Sequence, residues 1–282
     1  MEEIKISGRD VPVIGLGTWH MGENPRCLEQ EIQAIRTGIE VGARVIDTAE
    51  MYGEGKSERM IGKAISIFQR EELYLTSKVY PWNASKEKLP NSLDRSLKRL
   101  ETDYLDLYLL HWQGSVPLEE TVEALEQAKK SGKIRAWGVS NFDTSDLERL
   151  YSLPSGKNCA TNQVLYNLGS RGIEYDLIPW MQAHSLPLIA YSPIAQGDSL
   201  GDNFHERSIL KKLAQKYDAT IFQILLAWTL RDGNTIAIPQ SSNAQHVMEN
   251  IEASKIMLTT DDLAQLDQIY EKPTSKKPLD VL

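Results

Sequence analysis

Eight short apolar runs, each followed by sequence with helical spacing, set the strongest limit on what this chain can fold into. The runs are residues 14–17, 44–47, 73–78, 104–110, 134–139, 160–165, 187–190 and 235–238. Helical spacing covers 25–41, 57–68, 85–100, 117–131, 143–150, 172–184, 207–217, 219–231, 244–254 and 260–270. In the third of these segments Leu89, Leu93, Leu97 and Leu100 form one stripe. The fourth opens on Pro117 and stops before Gly132, residue types that favour a helix start and a helix stop. Strands separated by helices run parallel, because a parallel neighbour needs a long crossover. Eight such units predict a closed (β/α)8 TIM barrel with extra helices toward the C-terminus. Residues 4–7 and 11–13 predict an N-terminal β-hairpin ahead of it. The chain has 282 residues, and a barrel of roughly 250 residues is a single domain. No linker interrupts it, so one domain over 1–282 is expected, with 271–282 as a tail of two prolines and no periodicity.

Composition removes several function classes. Lys and Arg total 31 against 39 Asp and Glu, a formal charge of −8. A nucleic-acid partner would call for a basic face toward phosphates, so none is expected. Cys27 and Cys159 make no disulfide scaffold and stand at no metal-ligand spacing, and HExxH is absent, so no metal is expected. The first residues lack the basic-then-apolar layout of a signal peptide. The most apolar helix, 221–230, is interrupted by Gln223 and Thr229 and reaches about half the length of a membrane span. A cytoplasmic protein without membrane contact is the expectation.

A barrel of this kind carries its chemistry at the carboxyl ends of its strands. The second run ends in Asp47, the third in Lys78, and His111 follows the fourth. Tyr52 lies in the loop just after Asp47. Each has an ordinary explanation alone: a helix cap, a solvated strand end, a packing histidine, a packed tyrosine. Together their chemistry is complementary. A phenol with pKa about 10 is a poor acid near neutrality. A neighbouring ammonium favours phenolate and is expected to lower that pKa, with Asp47 keeping the lysine charged and aimed. A histidine can hydrogen-bond a carbonyl oxygen, so the set would protonate a carbonyl as hydride arrives.

Several stretches then match a known family in order. They include Gly15-Leu16-Gly17-Thr18-Trp19, Val45-Ile46-Asp47-Thr48-Ala49-Glu50-Met51-Tyr52-Gly53 and Thr76-Ser77-Lys78. Leu93-Asp94-Arg95-Ser96-Leu97-Lys98-Arg99-Leu100, 103–112 and Gly138-Val139-Ser140-Asn141-Phe142 follow. Asn162-Gln163-Val164, Ala190-Tyr191-Ser192-Pro193 and 238–250 complete the set. The sequence resembles the aldo-keto reductases from Gly15 to Asn250. Within them it is most similar to bacterial reductases of small aldehydes such as methylglyoxal. Gly15 and Gly17 do not make a dinucleotide fingerprint, because His20 stands at its third glycine.

The resemblance implies reduction of aldehydes and ketones by hydride from a nicotinamide cofactor. Tyr52 is then the general acid, with Asp47, Lys78 and His111 as its partners. Ser140, Asn141 and Gln163 would hold the carboxamide, and Tyr191 would stack on the ring. Gly17, Thr18, Trp19 and Asp47 would border the cofactor, with Ser192, Ile194 and Gln196 at the pyrophosphate. Pro239, Gln240, Ser241, Ser242, Asn243, His246, Glu249 and Asn250 would enclose the adenosine. Trp19, Trp82 and Trp112, with Tyr52 and His111, would line the substrate mouth, whereas Trp137, Trp180 and Trp228 are expected in the core. Many NADPH-preferring members carry Lys and Arg where this chain has Gln240 and His246. NADPH is expected, with NADH as the alternative. The expected partner is a small carbonyl compound met by a monomer. The other readings are a nicotinamide-binding regulatory protein of the same fold and a Schiff-base lyase using Lys78.

Overall fold

In a computed structural model, described for residues 2–197, 204 and 207–282, the apolar runs form one parallel sheet. Its strands are β3 (Leu16–Gly17), β4 (Val45–Asp47), β5 (Tyr74–Val79), β6 (Leu105–Leu110), β7 (Ile134–Ser140), β8 (Asn162–Leu165), β9 (Leu188–Tyr191) and β10 (Thr235–Ala237). They pair in sequence order, every pair parallel. Every residue of β5 and β6 is buried, as strands covered on both faces must be. Ahead of them β1 (Glu3–Ile6) and β2 (Arg9–Pro12) pair antiparallel as a hairpin. Arg9 Nη1 reaches from the hairpin to Asp106 Oδ1 at 2.6 Å near the start of β6, closing the amino end of the barrel and leaving the carboxyl end open.

The sheet closes on itself at its shortest strand. Residues 14–17 were expected to form the first strand, and only Leu16–Gly17 pairs with β4. Closure onto β10 and the residues after it runs through both glycines: Gly15 N donates to Ala237 O at 2.9 Å and Gly17 N to Pro239 O at 3.0 Å. A Cβ on Gly17 would lie 2.5 Å from Ile238 O. The glycine therefore serves the seam, where two backbones meet with no room for a side chain.

The helices are α1 (Leu28–Glu40), α2 (Lys56–Ile65), α3 (Leu89–Leu100), α4 (Leu118–Lys130), α5 (Thr144–Ser152), α6 (Leu177–Ala183), α7 (Ser208–Lys216), α8 (Ile221–Leu230), α9 (Ala244–Glu252) and α10 (Thr260–Asp267). Most start later or stop earlier than their periodicity, because capping residues and turns take the ends. Asp143 caps α5 and Thr220 caps α8, each in a reciprocal capping box. The segment 172–184 divides into a turn at Gly172–Glu174 and the short α6. Trp137 and Trp228 are fully buried, as expected. Trp180 departs from that expectation: it is partly buried at the margin, stacked on His184 at 3.8 Å.

Gly17→Ala tests the seam directly. Overpacking there should cost about 1–3 kcal/mol and lower the melting temperature; an unchanged melting temperature would show that the seam has slack.

Candidate active site

Strand register assembles the charged centre. Asp47 ends β4 opposite Thr76, and Lys78, two residues further along β5, points from the same face. Lys78 is fully buried and Asp47 nearly so. Lys78 Nζ donates to Asp47 Oδ1 at 2.5 Å, Thr48 O at 3.0 Å and the Tyr52 hydroxyl at 3.0 Å. All three ammonium hydrogens are thereby used. Behind the pair, hydroxyls pin the backbone: Ser57 Oγ donates to Thr18 Oγ1 at 2.8 Å, and Thr18 Oγ1 to Asp47 O at 2.9 Å.

The electrostatics correct one expectation. Lys78 lowers the Tyr52 pKa as expected, yet burial outweighs it and the pKa stands above the ordinary value. Burial raises it most, Lys78 pulls it down, and the Asp47 charge raises it again. Lys78 itself is pushed up: burial opposes its charge, but Asp47 and Tyr52 together outweigh burial. His111 is pushed down to about 2, by burial first and then by Lys78, so it is neutral. Its Nδ1 is buried without a hydrogen-bond partner. An acceptor nitrogen tolerates that position better than an N–H does, which leaves Nε2–H as the donor. His111 and Tyr52 stand edge to face, ring centres 5.8 Å apart.

Both open into a cavity of about 830 Å³ at the carboxyl end of the barrel. Ser140, Asn141 and Gln163 line its floor. The Tyr191 hydroxyl donates to Asn141 Oδ1 at 2.9 Å, and Asn141 Nδ2 to His111 O at 3.2 Å. Beyond Tyr191, residues Ser192, Ala195, Gln196 and Gly197 all have left-handed backbone, with φ between 47° and 66°. Such turns form concave anion-binding surfaces, and non-glycine residues adopt them at a cost. The cavity continues past Ile194 to Pro239, Gln240, Ser241, His246, Glu249 and Asn250 near the start of α9. A flat ring on Tyr191, polar groups around it and a helix N-terminus at the far end together fit a dinucleotide.

Gly17, Thr18, Trp19 and Trp112 also line the cavity, while Ser242 and Asn243 do not. Trp82 lies outside it, 53% exposed, stacked on Tyr80 at 4.2 Å and edge-on to Trp112 at 5.9 Å. Trp112, expected beside it, does line the cavity, and Trp82 flanks it from outside. Sequence reasoning missed His20, Met51, Thr220, Ile221, Phe222 and Leu282 as wall residues. His20 stacks on Trp19 at 4.4 Å, and its position in the same loop was the available signal. The tail at 271–282 also takes part: Lys276 pairs with Asp143 and, at 2.9 Å, with Asp176, and Leu279 packs on the core.

A barrel whose open end joins a Tyr–Lys–Asp relay and a neutral histidine to a dinucleotide-shaped cavity defines a nicotinamide-dependent carbonyl reductase. Residues 13–271 match the model of the Aldo/keto reductase family. The chain is 47% identical to methylglyoxal reductase YeaE of Escherichia coli over 99% of its own length and 98% of that protein. It is 34% identical to glyoxal reductase of Bacillus subtilis over 93% of its length and 90% of that protein. A crystal structure of an aldo-keto reductase from Klebsiella pneumoniae in complex with NADPH superposes with a TM-score of 0.98 at 48% identity, covering 100% and 99% of the two chains. The chain belongs to the Aldo/keto reductase family and is an NADPH-dependent oxidoreductase of carbonyl groups. Among the described residues no helix is long and apolar enough to cross a membrane.

The pH profile follows from these charges. Burial holds the Tyr52 pKa above its ordinary value and His111 stays neutral, so neither titrates near neutrality. The rate of aldehyde reduction at saturating cofactor should therefore change less than about twofold between pH 6 and 8. A limb centred between pH 6 and 7 would show that His111 titrates after all.

Proposed function

We propose that Tyr52 delivers the proton in the reduction of small aldehydes and ketones, methylglyoxal among them, to the corresponding alcohols. The observation that carries this reading is the hydrogen bond of 3.0 Å from Lys78 to the Tyr52 hydroxyl, with Lys78 in turn held by Asp47. That hydroxyl accepts from Lys78, so its own hydrogen is free to point toward a substrate oxygen. His111 gives the same oxygen a second hydrogen bond through Nε2 and orients the carbonyl. Ser140, Asn141 and Gln163 hold the carboxamide, Tyr191 covers the ring face, and Trp19 and Trp112 exclude water from the mouth. Reduced nicotinamide supplies the hydride when bound.

The substrate class rests on the cavity and on the relatives. The walls are largely aromatic and aliphatic, and such a site discriminates weakly among small carbonyls. The proteins of E. coli and B. subtilis named above are reductases of methylglyoxal and glyoxal. A single domain acting as a monomer in the cytoplasm completes this reading; the barrel sheet that closes on itself supports the single domain. The lysine does not serve as a nucleophile in this reading. A Schiff-base lysine needs a lowered pKa and a free lone pair, and Lys78 has a raised pKa and three acceptors.

Tyr52→Phe removes the acid and keeps the ring. With NADPH and a panel of aldehydes, kcat should fall about 10²- to 10⁴-fold; undiminished turnover would end the proposal. At the adenosine end, Gln240→Lys places a cation where a 2′-phosphate would lie. NADPH affinity, read by quenching of protein fluorescence, should tighten about tenfold with NADH little changed; equal effects on both would remove Gln240 from cofactor selection.

A further inference from the structure

Gln163 faces two ways. Its main chain is fixed from β7, since its carbonyl accepts from Ser140 Oγ at 2.8 Å and from Asn141 N at 2.9 Å. Its side chain crosses the barrel, and Nε2 donates to Asp47 Oδ2 at 2.8 Å, between residues 116 positions apart in the sequence. The other Asp47 oxygen holds Lys78. The buried carboxylate thus sits between one cation and one amide. A carboxylate only accepts, so the nitrogen end of the amide must face Asp47 and the oxygen end must face away. Gln163 lines the cavity, and no hydrogen bond to its Oε1 is formed by the described residues.

We propose that Gln163 is a positioning residue for proton delivery: its oxygen receives the carboxamide N–H of the nicotinamide, and its nitrogen holds Asp47 in line with Lys78 and Tyr52. A carboxamide bound at the oxygen end then holds the nitrogen end on Asp47, because a planar amide cannot turn at one end without turning at the other. The inference rests on the roles proposed above for Gln163 at the carboxamide and for Tyr52 as acid. Without this donor, one oxygen of a buried charge would lack a partner, and the carboxylate would be free to rotate away from Lys78. The other titratable groups facing this point are Lys78 from β5, Tyr52 after β4, His111 after β6 and Tyr191 at the end of β9.

Gln163→Glu separates the two ends. It keeps the size and an oxygen toward the cavity, but the new carboxyl can donate to Asp47 only while protonated. At saturating NADPH, kcat of this variant should fall about tenfold or more from pH 6 to 8, the range in which the native enzyme changes little. The cofactor-free variant gives a second reading. Burial and Asp47 raise the pKa of the introduced carboxyl in the folded state, so stability is intact below the ordinary carboxyl pKa. It is lost as pH rises through the folded value, and the melting temperature should drop relative to native over that interval. Gln163→Met removes both ends and should weaken NADPH binding while also lowering kcat at saturation.

Three results would overturn the inference. One is a Gln163→Glu enzyme whose kcat and melting temperature follow the native protein across the pH range. Another is a Gln163→Met enzyme with weakened NADPH binding and native kcat at saturation, which leaves Gln163 as a cofactor contact only. The third is native NADPH affinity in Gln163→Met, which removes the carboxamide end. Failure of the Tyr52 reading appears instead as undiminished turnover in Tyr52→Phe.

Discussion

A lysine with no solvent exposure stays charged only where every ammonium hydrogen has an acceptor and a counter-charge is close. Lys78 meets both conditions with Asp47, Thr48 O and the Tyr52 hydroxyl, and much of the open end of the barrel is arranged to make that possible. Removing one partner from such a pair costs about 3–5 kcal/mol, because the remaining charge is stranded. The pairing depends on the β4–β5 register, and a slip of one residue would turn Lys78 to the opposite face. The register is stabilised in turn by closure of the sheet at Gly15 and Gly17 against Ala237 and Pro239. The seam is thus a structural condition for the chemistry, although its residues take no part in the proton line.

The same pair sets the state of the Tyr52 hydroxyl, the acid of the proposed reaction. Burial raises the Tyr52 pKa more than Lys78 lowers it, so the hydroxyl keeps its proton. Lys78 acts less as an activator than as an anchor that fixes where the phenol oxygen lies. A neutral His111 fits this arrangement, since a second buried cation beside Lys78 would be repelled. The balance also bears on the anionic cofactor. The chain carries a formal charge of −8, so its overall field does not attract a dinucleotide. In the reading proposed above the attraction is local, from the left-handed run after Tyr191, the start of α9, and uncharged donors such as Gln240 and Ser241. Such sites hold phosphates by directed N–H and O–H groups, which explains how the position can forgo the usual cations.

What the sequence disclosed, and what it hid, divides along physical lines. The barrel was legible because each strand is a short apolar run and each return is a helix. Asp47, Lys78 and His111 were legible because the open end of a parallel barrel collects whatever follows each strand. Contacts across the lumen were not. Nothing local in Asn162-Gln163-Val164 says that its amide meets Asp47, since that meeting depends on strands four positions apart, on opposite sides of the ring. The wall from Thr220, Ile221 and Phe222 was hidden for another reason. Helix α8 is apolar on every side and nearly all buried from Ile224 onward, so periodicity gives no face to orient. Trp82 was misplaced because the sequence shows its neighbour Tyr80 but not that the two rings stack outward. The sign of the Tyr52 shift was missed because burial, the larger cause, is a property of the folded cavity.

The division also shows where specificity can change without loss of chemistry. The charged centre sits on strand ends fixed by the ladder, whereas the outer wall comes from loops and from residues 271–282. That tail has no regular structure, yet Lys276 bridges Asp143 and Asp176, Leu279 packs on the core and Leu282 reaches the cavity. Its partners are surface carboxylates at the starts of α5 and α6, and exposed pairs of this kind contribute only about 0–1 kcal/mol each. The wall is therefore held far more loosely than the floor. A substitution in the tail can reshape the mouth at little cost in stability, while one at Asp47 or Lys78 strands a buried charge.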